Sequence, residues 1–337
     1  MDFSSLGFGY IKAPYRYVCK YKDGQWGEGY LTEDDTIVLS ESACVLQYAQ
    51  TCFEGLKAYR TANDDIVCFR PDLNAARLVS SCNRMVMPPF PEDKFLEAVK
   101  TVVMANKDMV PPYGTGGSLY VRPFMIGTDP ILPVKPSGEF EFRIFVSPVG
   151  PYFKNGIKPL TLRIADYDRA APHGTGNIKA GLNYAMSLYP TVEAHEEGYD
   201  ENVYLDPGSR TYIEETGGAN ILFITKDRKI VTSKSDSILP SITKRSILQV
   251  AQERLGLTVE ERKINVSEIS SFVECGLCGT AAVICPVGKI VDQSHQPVFS
   301  ADMDKAGEVT MKLYNALLDI QLGRAEAPEG WIFTVGK

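Results

Sequence analysis

Strand-like and helix-like patterns along this chain of 337 residues do not alternate one for one. In the second half, residues 160–165, 202–205, 219–225, 230–232 and 280–287 read as strands. Helical patterns interrupt them at about 180–197, 242–255 and 301–322. Strict alternation would point to a doubly wound parallel sheet; this order points to an α+β fold or a mixed barrel. The last two helices run into Gly256 and Gly323, and glycine is the residue that most readily ends a helix. In the first half, residues 56–60 and 66–70 flank Ala62-Asn63-Asp64-Asp65 and form a hairpin pattern. Asp72 is placed to cap a helix through about Met85, with Leu73, Ala76 and Val79 at helical spacing. Pro91 suits the first turn of the next helix, where Leu96, Val99 and Val103 share a face. Strands follow at 118–125 and 140–146.

The halves are separated by Pro148-Val149-Gly150-Pro151-Tyr152-Phe153-Lys154-Asn155-Gly156. The expected organisation is a small N-terminal α/β domain over 1–147, an interdomain loop over 148–156 and a larger C-terminal domain over 157–337. Two aromatic residues in a connection are unusual, and suit a loop that also closes over a site.

Charge and cysteine usage narrow the function. With 35 basic and 42 acidic residues the net charge is −7, and no basic tract offers a footprint for nucleic acid. No apolar run reaches the ~18 residues that span a bilayer, and the start MDFSSLGFGYIK does not read as a secretory signal. Eight cysteines in such a chain are expected to be buried small hydrophobes. Cys275-Gly-Leu-Cys278 leaves open a redox pair or half a zinc site, with Cys285 nearby. None of the three histidines lies close to it in sequence. A cytoplasmic protein without bound metal is the expectation.

Six strings could carry chemistry. Lys179 sits between Ile178 and Ala180, unlike lysines among charges such as Lys226-Asp227-Arg228-Lys229. A lysine in dry surroundings becomes a nucleophilic amine suited to a Schiff base, although a lysine can also carry its head out to water. Glu214-Glu215-Thr216-Gly217-Gly218 runs into an apolar strand. It reads either as a solvated turn or as a carboxylate able to hold a protonated ring nitrogen. Leu239-Pro240-Ser241-Ile242-Thr243 opens a helix, a ready anion site. Gly279-Thr280-Ala281-Ala282 can expose backbone N–H groups. Arg77 has apolar neighbours and needs an anionic partner if buried. Tyr120 and Arg122 share one face of a strand.

Taken in order, the strings L-Q-Y-A-Q-T-C-F-E-G-L-K-A-Y, F-R-P-D-L-N-A-A-R-L, S-L-Y-V-R-P, G-N-I-K-A-G-L-N-Y, E-T-G-G-A-N-I-L-F, L-P-S-I-T-K-R-S-I-L and G-T-A-A-V-I-C-P-V resemble the branched-chain amino acid aminotransferases. These are fold type IV enzymes that use pyridoxal 5′-phosphate. The resemblance implies Lys179 as the Schiff-base lysine, Tyr184 on the cofactor's phenolic oxygen and Glu215 on the pyridine nitrogen. It implies a phosphate held by Arg77, by the N–H groups of Ile242 and Thr243, and by Thr280. Ala281, with the Thr280 turn, would face the substrate carboxylate. Tyr48, Phe53, Tyr120, Arg122 and Gly218, with Phe8 by a short match, would line the side-chain pocket. A homodimer is implied as well. The implied reaction moves the amino group of leucine, isoleucine or valine to 2-oxoglutarate. Its alternative is another fold type IV enzyme, a D-amino acid aminotransferase or an aminodeoxychorismate lyase. Vertebrate-like members carry a redox C-x-x-C after the T-A pair; here Ala282 takes the first position and only Cys285 remains.

Overall fold

The computed structural model describes residues 2–153 and 156–337. Lys154 and Asn155, in the expected interdomain loop, lie outside the described residues. The chain divides into two compact units. The first comprises Met1–Lys154, Ile178–Gly181 and Ile320–Lys337; the second comprises Asn155–Asn177 and Leu182–Asp319. The expected C-terminal domain of 157–337 therefore differs from the observed second unit. Ile332–Gly336 pairs antiparallel with Ile66–Phe69, and Ala180 bridges Cys52, so both segments add to the first unit's sheet.

The first unit is built on a nine-stranded sheet among the described residues. Its central strand, Ser118–Gly127, pairs with Leu56–Arg60 on one side and Phe140–Val149 on the other. Thr51–Phe53 also pairs with it. The hairpin expected around Asn63 forms, with Arg60 opposite Ile66. Strand alternation splits the sheet into two faces. Leu119, Val121 and Met125 join Phe142, Ile144 and Val146 in a core with Leu78, Cys82, Phe95 and Val99 of the helices Pro71–Arg84 and Glu92–Ala105. Tyr120, Arg122, Phe124, Arg143 and Phe145 alternate with these and are half-buried.

The helix Pro71–Arg84 departs from the sequence pattern. Asp72 lies in its first turn and makes no cap; Arg70 is the capping position, in the left-handed region. The buried stripe is Pro71, Asn74, Ala75, Leu78, Ser81 and Cys82, while Ala76 is exposed. Two polar residues hold inward positions because they have inward work. Asn74 donates to Glu54 (2.7 Å), and Ser81 Oγ accepts from the Lys179 amide (3.1 Å). Pro91 likewise stands at the capping position of Glu92–Ala105, one residue before the helix.

The second unit holds a ten-stranded mixed sheet among the described residues. Asn220–Ile224, Glu274–Gly279, Val283–Val291, Leu160–Ile164, Glu201–Leu205 and Tyr212–Thr216 pair in that order. Tyr212–Thr216 then pairs back onto Asn220–Ile224. The sheet thus closes on itself, which leaves no edge at that point, and the closing pair is Glu215 opposite Asn220. The Val283–Val291 strand begins three residues later than its sequence pattern indicates, because residues 280–282 form the turn before it. The helix Ile242–Leu255 ends at Gly256 in the left-handed conformation, as expected.

Candidate active site

In the first unit the Lys179 segment is laid against the Thr51–Phe53 strand. The Phe53 amide donates to the Lys179 carbonyl (3.0 Å), and Ala180 bridges Cys52. Ile178 and Ala180 are buried on either side. The Lys179 side chain is half-buried, with Nζ 4.7 Å from the centre of the Phe53 ring. The same ring carries the Arg122 guanidinium at 4.8 Å. Arg122 also lies 5.2 Å from the Tyr120 ring and donates from Nη2 to the Tyr120 hydroxyl (3.0 Å). Among the described residues Arg122 has no carboxylate partner, and its Nε is buried without an acceptor. Phe8 packs edge-on to Tyr120 at 5.6 Å and to Tyr152 at 6.1 Å. Gly55 is needed here: a Cβ at this position would collide with the Tyr120 hydroxyl.

The structure therefore brings Phe8, Phe53, Tyr120, Arg122 and Lys179 together. It does not bring Tyr48 to them: the Tyr48 hydroxyl donates to the Leu132 carbonyl. Arg77 has the anionic partner that its setting requires. Its Nε and Nη2 fork onto the two oxygens of Glu54, both at 2.7 Å. Glu54 is fully buried and also accepts from Asn74. A forked pair of this kind fixes the plane of the guanidinium.

In the second unit Glu215 is buried at the seam of the closed sheet. Its Oε1 faces Arg169 Nη2 at 2.7 Å and accepts from the Leu239 amide at 2.9 Å; its Oε2 accepts from Asn220 Nδ2 at 2.5 Å. Burial pushes its carboxyl up to about 7, against the pull of Arg169. Glu214 points elsewhere and accepts from Ser235 (2.6 Å) and Ser237. Ser241 caps the helix Ile242–Leu255 by accepting from the Lys244 amide (3.1 Å). The N–H groups of Ile242 and Thr243 precede the first intrahelical acceptor, which suits an anion. Thr280 and Ala281 occupy the tight turn between Glu274–Gly279 and Val283–Val291, and Gly218 the turn before Asn220–Ile224. Tyr184 stands on the first turn of the helix Gly181–Glu196.

A model of the family described as amino-transferase class IV matches residues 51–290. This chain is a class IV aminotransferase. It is 49% identical to the branched-chain-amino-acid aminotransferase of Haemophilus influenzae, with 99% of each chain covered. It is 47% identical to that of Helicobacter pylori, covering 100% of this chain and 98% of the relative. Among solved structures it resembles the branched-chain amino acid aminotransferase from Thermobaculum terrenum in its PLP-bound holo form. The TM-score is 0.80 at 25% identity, with 97% of this chain and 99% of that one covered. The branched-chain amino acid aminotransferase from Escherichia coli gives 0.76 at 26% identity, with 97% of this chain and 100% of that one covered.

Sequence reasoning missed four residues of this aminotransferase. Arg169 follows Asp166 and Asp168, and so reads as a surface charge. Glu54 between Phe53 and Gly55 is a lone acid in an apolar run, a signal that could have paired it with Arg77. Asn74 and Asn220 carry no local signal. The cysteines are all free and buried. Cys275 and Cys278 stand three apart on one strand and so point to opposite faces. Burial raises both thiols, Cys278 to about 12, which leaves them poor nucleophiles. Among the described residues no group of three or more His, Cys, Asp or Glu side chains could hold a metal ion.

Proposed function

We propose that this aminotransferase moves the amino group of L-leucine, L-isoleucine or L-valine to 2-oxoglutarate, releasing the branched 2-oxo acid and L-glutamate. The observation that carries the reading is the Arg122 cluster. One aromatic platform offers apolar rings beside a guanidinium with no carboxylate partner among the described residues. Phe53, Tyr120 and Phe8 suit a branched aliphatic side chain, and Arg122 suits the second carboxylate of 2-oxoglutarate by a charge-assisted bond.

The enzyme uses pyridoxal 5′-phosphate, which supplies an electron sink for the carbanion at the substrate Cα. The residues present fit that group: an amine on an aromatic ring, a buried carboxylate ringed by donors, a forked arginine and a capped helix start. In this reading Lys179 would be the amine that holds the cofactor, and the same amine would take the proton from the substrate Cα as general base and return it as general acid. Glu215 keeps the ring nitrogen protonated. Tyr184 donates to the phenolic oxygen. Arg77, the amides of Ile242 and Thr243, and Thr280 hold the phosphate. Thr280 and Ala281 receive the substrate carboxylate, and Gly218 lines the pocket. Two half-reactions on one site give ping-pong kinetics.

The same reading takes the enzyme as a cytoplasmic homodimer acting on small molecules, without nucleic acid or membrane. No helix among the described residues is long and apolar enough to cross a membrane. Val38, Leu46, Leu132 and Val134 expose apolar side chains on the first unit, as a subunit contact would require. Tyr48, bonded to Leu132, lies beside this apolar group, and in this reading it reaches a side-chain pocket only across that contact. The test is a transamination assay with L- and D-leucine and 2-oxoglutarate. Turnover of the L-isomer is expected; turnover of the D-isomer alone would reject the reading.

A further inference from the structure

We propose that Arg169 is a positioning residue for transamination. It keeps the Glu215 carboxylate charged and fixed, so that this carboxylate can hold the protonated ring nitrogen of pyridoxal phosphate. The inference rests on the reading of Glu215 given above.

Two hydrogen-bond donors and one cation reach Glu215, and they are unequal. The Leu239 amide and the Asn220 side chain are neutral; they orient the oxygens but add no charge to offset a buried anion. Arg169 is the cation in direct contact, at 2.7 Å, with side-chain exposures of 6% and 4% for the pair. Other charged or titratable groups near Glu215 are Glu214, Lys244 and Cys278. Glu214 is occupied by Ser235 and Ser237. Lys244 shares its charge with the Ser233 carbonyl (3.2 Å) and Glu261 (3.4 Å). Arg169 has no second carboxylate: its other bonds go to the carbonyls of Gly176 (3.1 Å) and Ser237. Among the described residues Glu215 is therefore the one carboxylate that Arg169 pairs with. Gly176 makes the arrangement possible, since a Cβ there would strike the Ser237 carbonyl and stand 2.8 Å from Arg169 Nη2.

A buried carboxylate without its cation takes up a proton instead of staying charged. A neutral Glu215 can accept no ion pair from a ring nitrogen. The test uses the full chain with and without pyridoxal phosphate. The apparent pKa of Glu215 is followed by carbon-13 NMR, assigned through Glu215→Gln, and cofactor retention is followed by dialysis across pH. Arg169→Gln is expected to raise the apparent pKa of Glu215 by about one unit or more and to weaken retention near pH 7.5 roughly tenfold. Arg169→Lys is expected to recover most of both. In a Glu215→Gln background, adding Arg169→Gln should change retention by less than about twofold, as expected when one residue acts through another. Failure of the single variant to fold while the double variant folds also supports the proposal, because the unpaired carboxylate is then the defect. An unchanged Glu215 pKa in Arg169→Gln overturns it, as does a further severalfold loss of retention when Arg169→Gln is added to Glu215→Gln. A shifted pKa with unchanged retention overturns the assignment of Glu215 to the ring nitrogen and leaves the ion pair's control of its charge standing, so the two failures are distinguished.

Discussion

The two compact units treat a buried or half-buried charge in opposite ways. On the first unit's sheet face, Arg122 has two aromatic rings and one hydroxyl for company, and no carboxylate among the described residues. At the second unit's barrel seam, Glu215 is met by a guanidinium, an amide N–H and a carboxamide. The difference follows from what each group must meet. A charge that answers to a changing substrate is left unsaturated, so that a carboxylate is welcomed and an aliphatic chain is tolerated. A charge that answers to one constant partner is saturated and held still, since reorganising it at each turnover would cost free energy. Arg77 belongs to the second kind although it sits in the first unit, because Glu54, itself held by Asn74, takes two of its donors.

Four experiments break or sharpen this contrast. The largest effect is expected from Lys179→Ala, which removes the amine beside Phe53. Activity should fall roughly a thousandfold or more, and the absorbance of the cofactor bound through that amine should vanish; a retained band would remove Lys179 from its role. Next comes pH. Burial raises the Glu215 carboxyl above its unfolded value, to about 7, so the folded state binds this proton more tightly than the unfolded one. Its contribution is present below the ordinary carboxylate range and is lost as pH rises towards about 7. In the cofactor-free protein this amounts to about 3 kcal/mol at most. Urea melts of wild type and Glu215→Gln between those limits should differ in slope; parallel curves would show that Glu215 is not raised.

Arg122→Met tests the unsaturated side of the contrast. The KM for 2-oxoglutarate should rise about tenfold to thirtyfold, as for loss of a charged hydrogen bond, while that for leucine changes less than about threefold. Equal changes would mean that Arg122 supports the rings and does not choose between substrates. The smallest effect belongs to Arg77→Lys, which keeps the charge opposite Glu54 but loses the fork. Cofactor retention on dialysis should weaken severalfold, and no change would take Arg77 out of the phosphate site.

The sequence was misleading where function had displaced the usual pattern. Leu73, Ala76 and Val79 have helical spacing, yet the buried stripe of that helix carries Asn74 and Ser81. Polar residues reach the inner face there because Glu54 and the Lys179 amide need donors and acceptors. Periodicity counts apolar residues and is blind to such an exchange. Arg169 was hidden for the opposite reason: aspartates beside it in sequence suggest solvent, while its true partner lies 46 positions on, at Glu215.

What the sequence determined by itself is local. The Asn63 hairpin, the glycine stop at Gly256 and the apolar flanks of Lys179 each depend on residues a few positions apart, whose backbone preferences act before any tertiary contact forms. Tertiary structure alone decided that residues 178–181 and 320–337 join the first unit, that the second sheet closes at Glu215 and Asn220, and that Arg169 and Glu54 find their charges. Those outcomes depend on pairing between segments far apart in the chain, where the free energy comes from burial and charge compensation that no local pattern encodes.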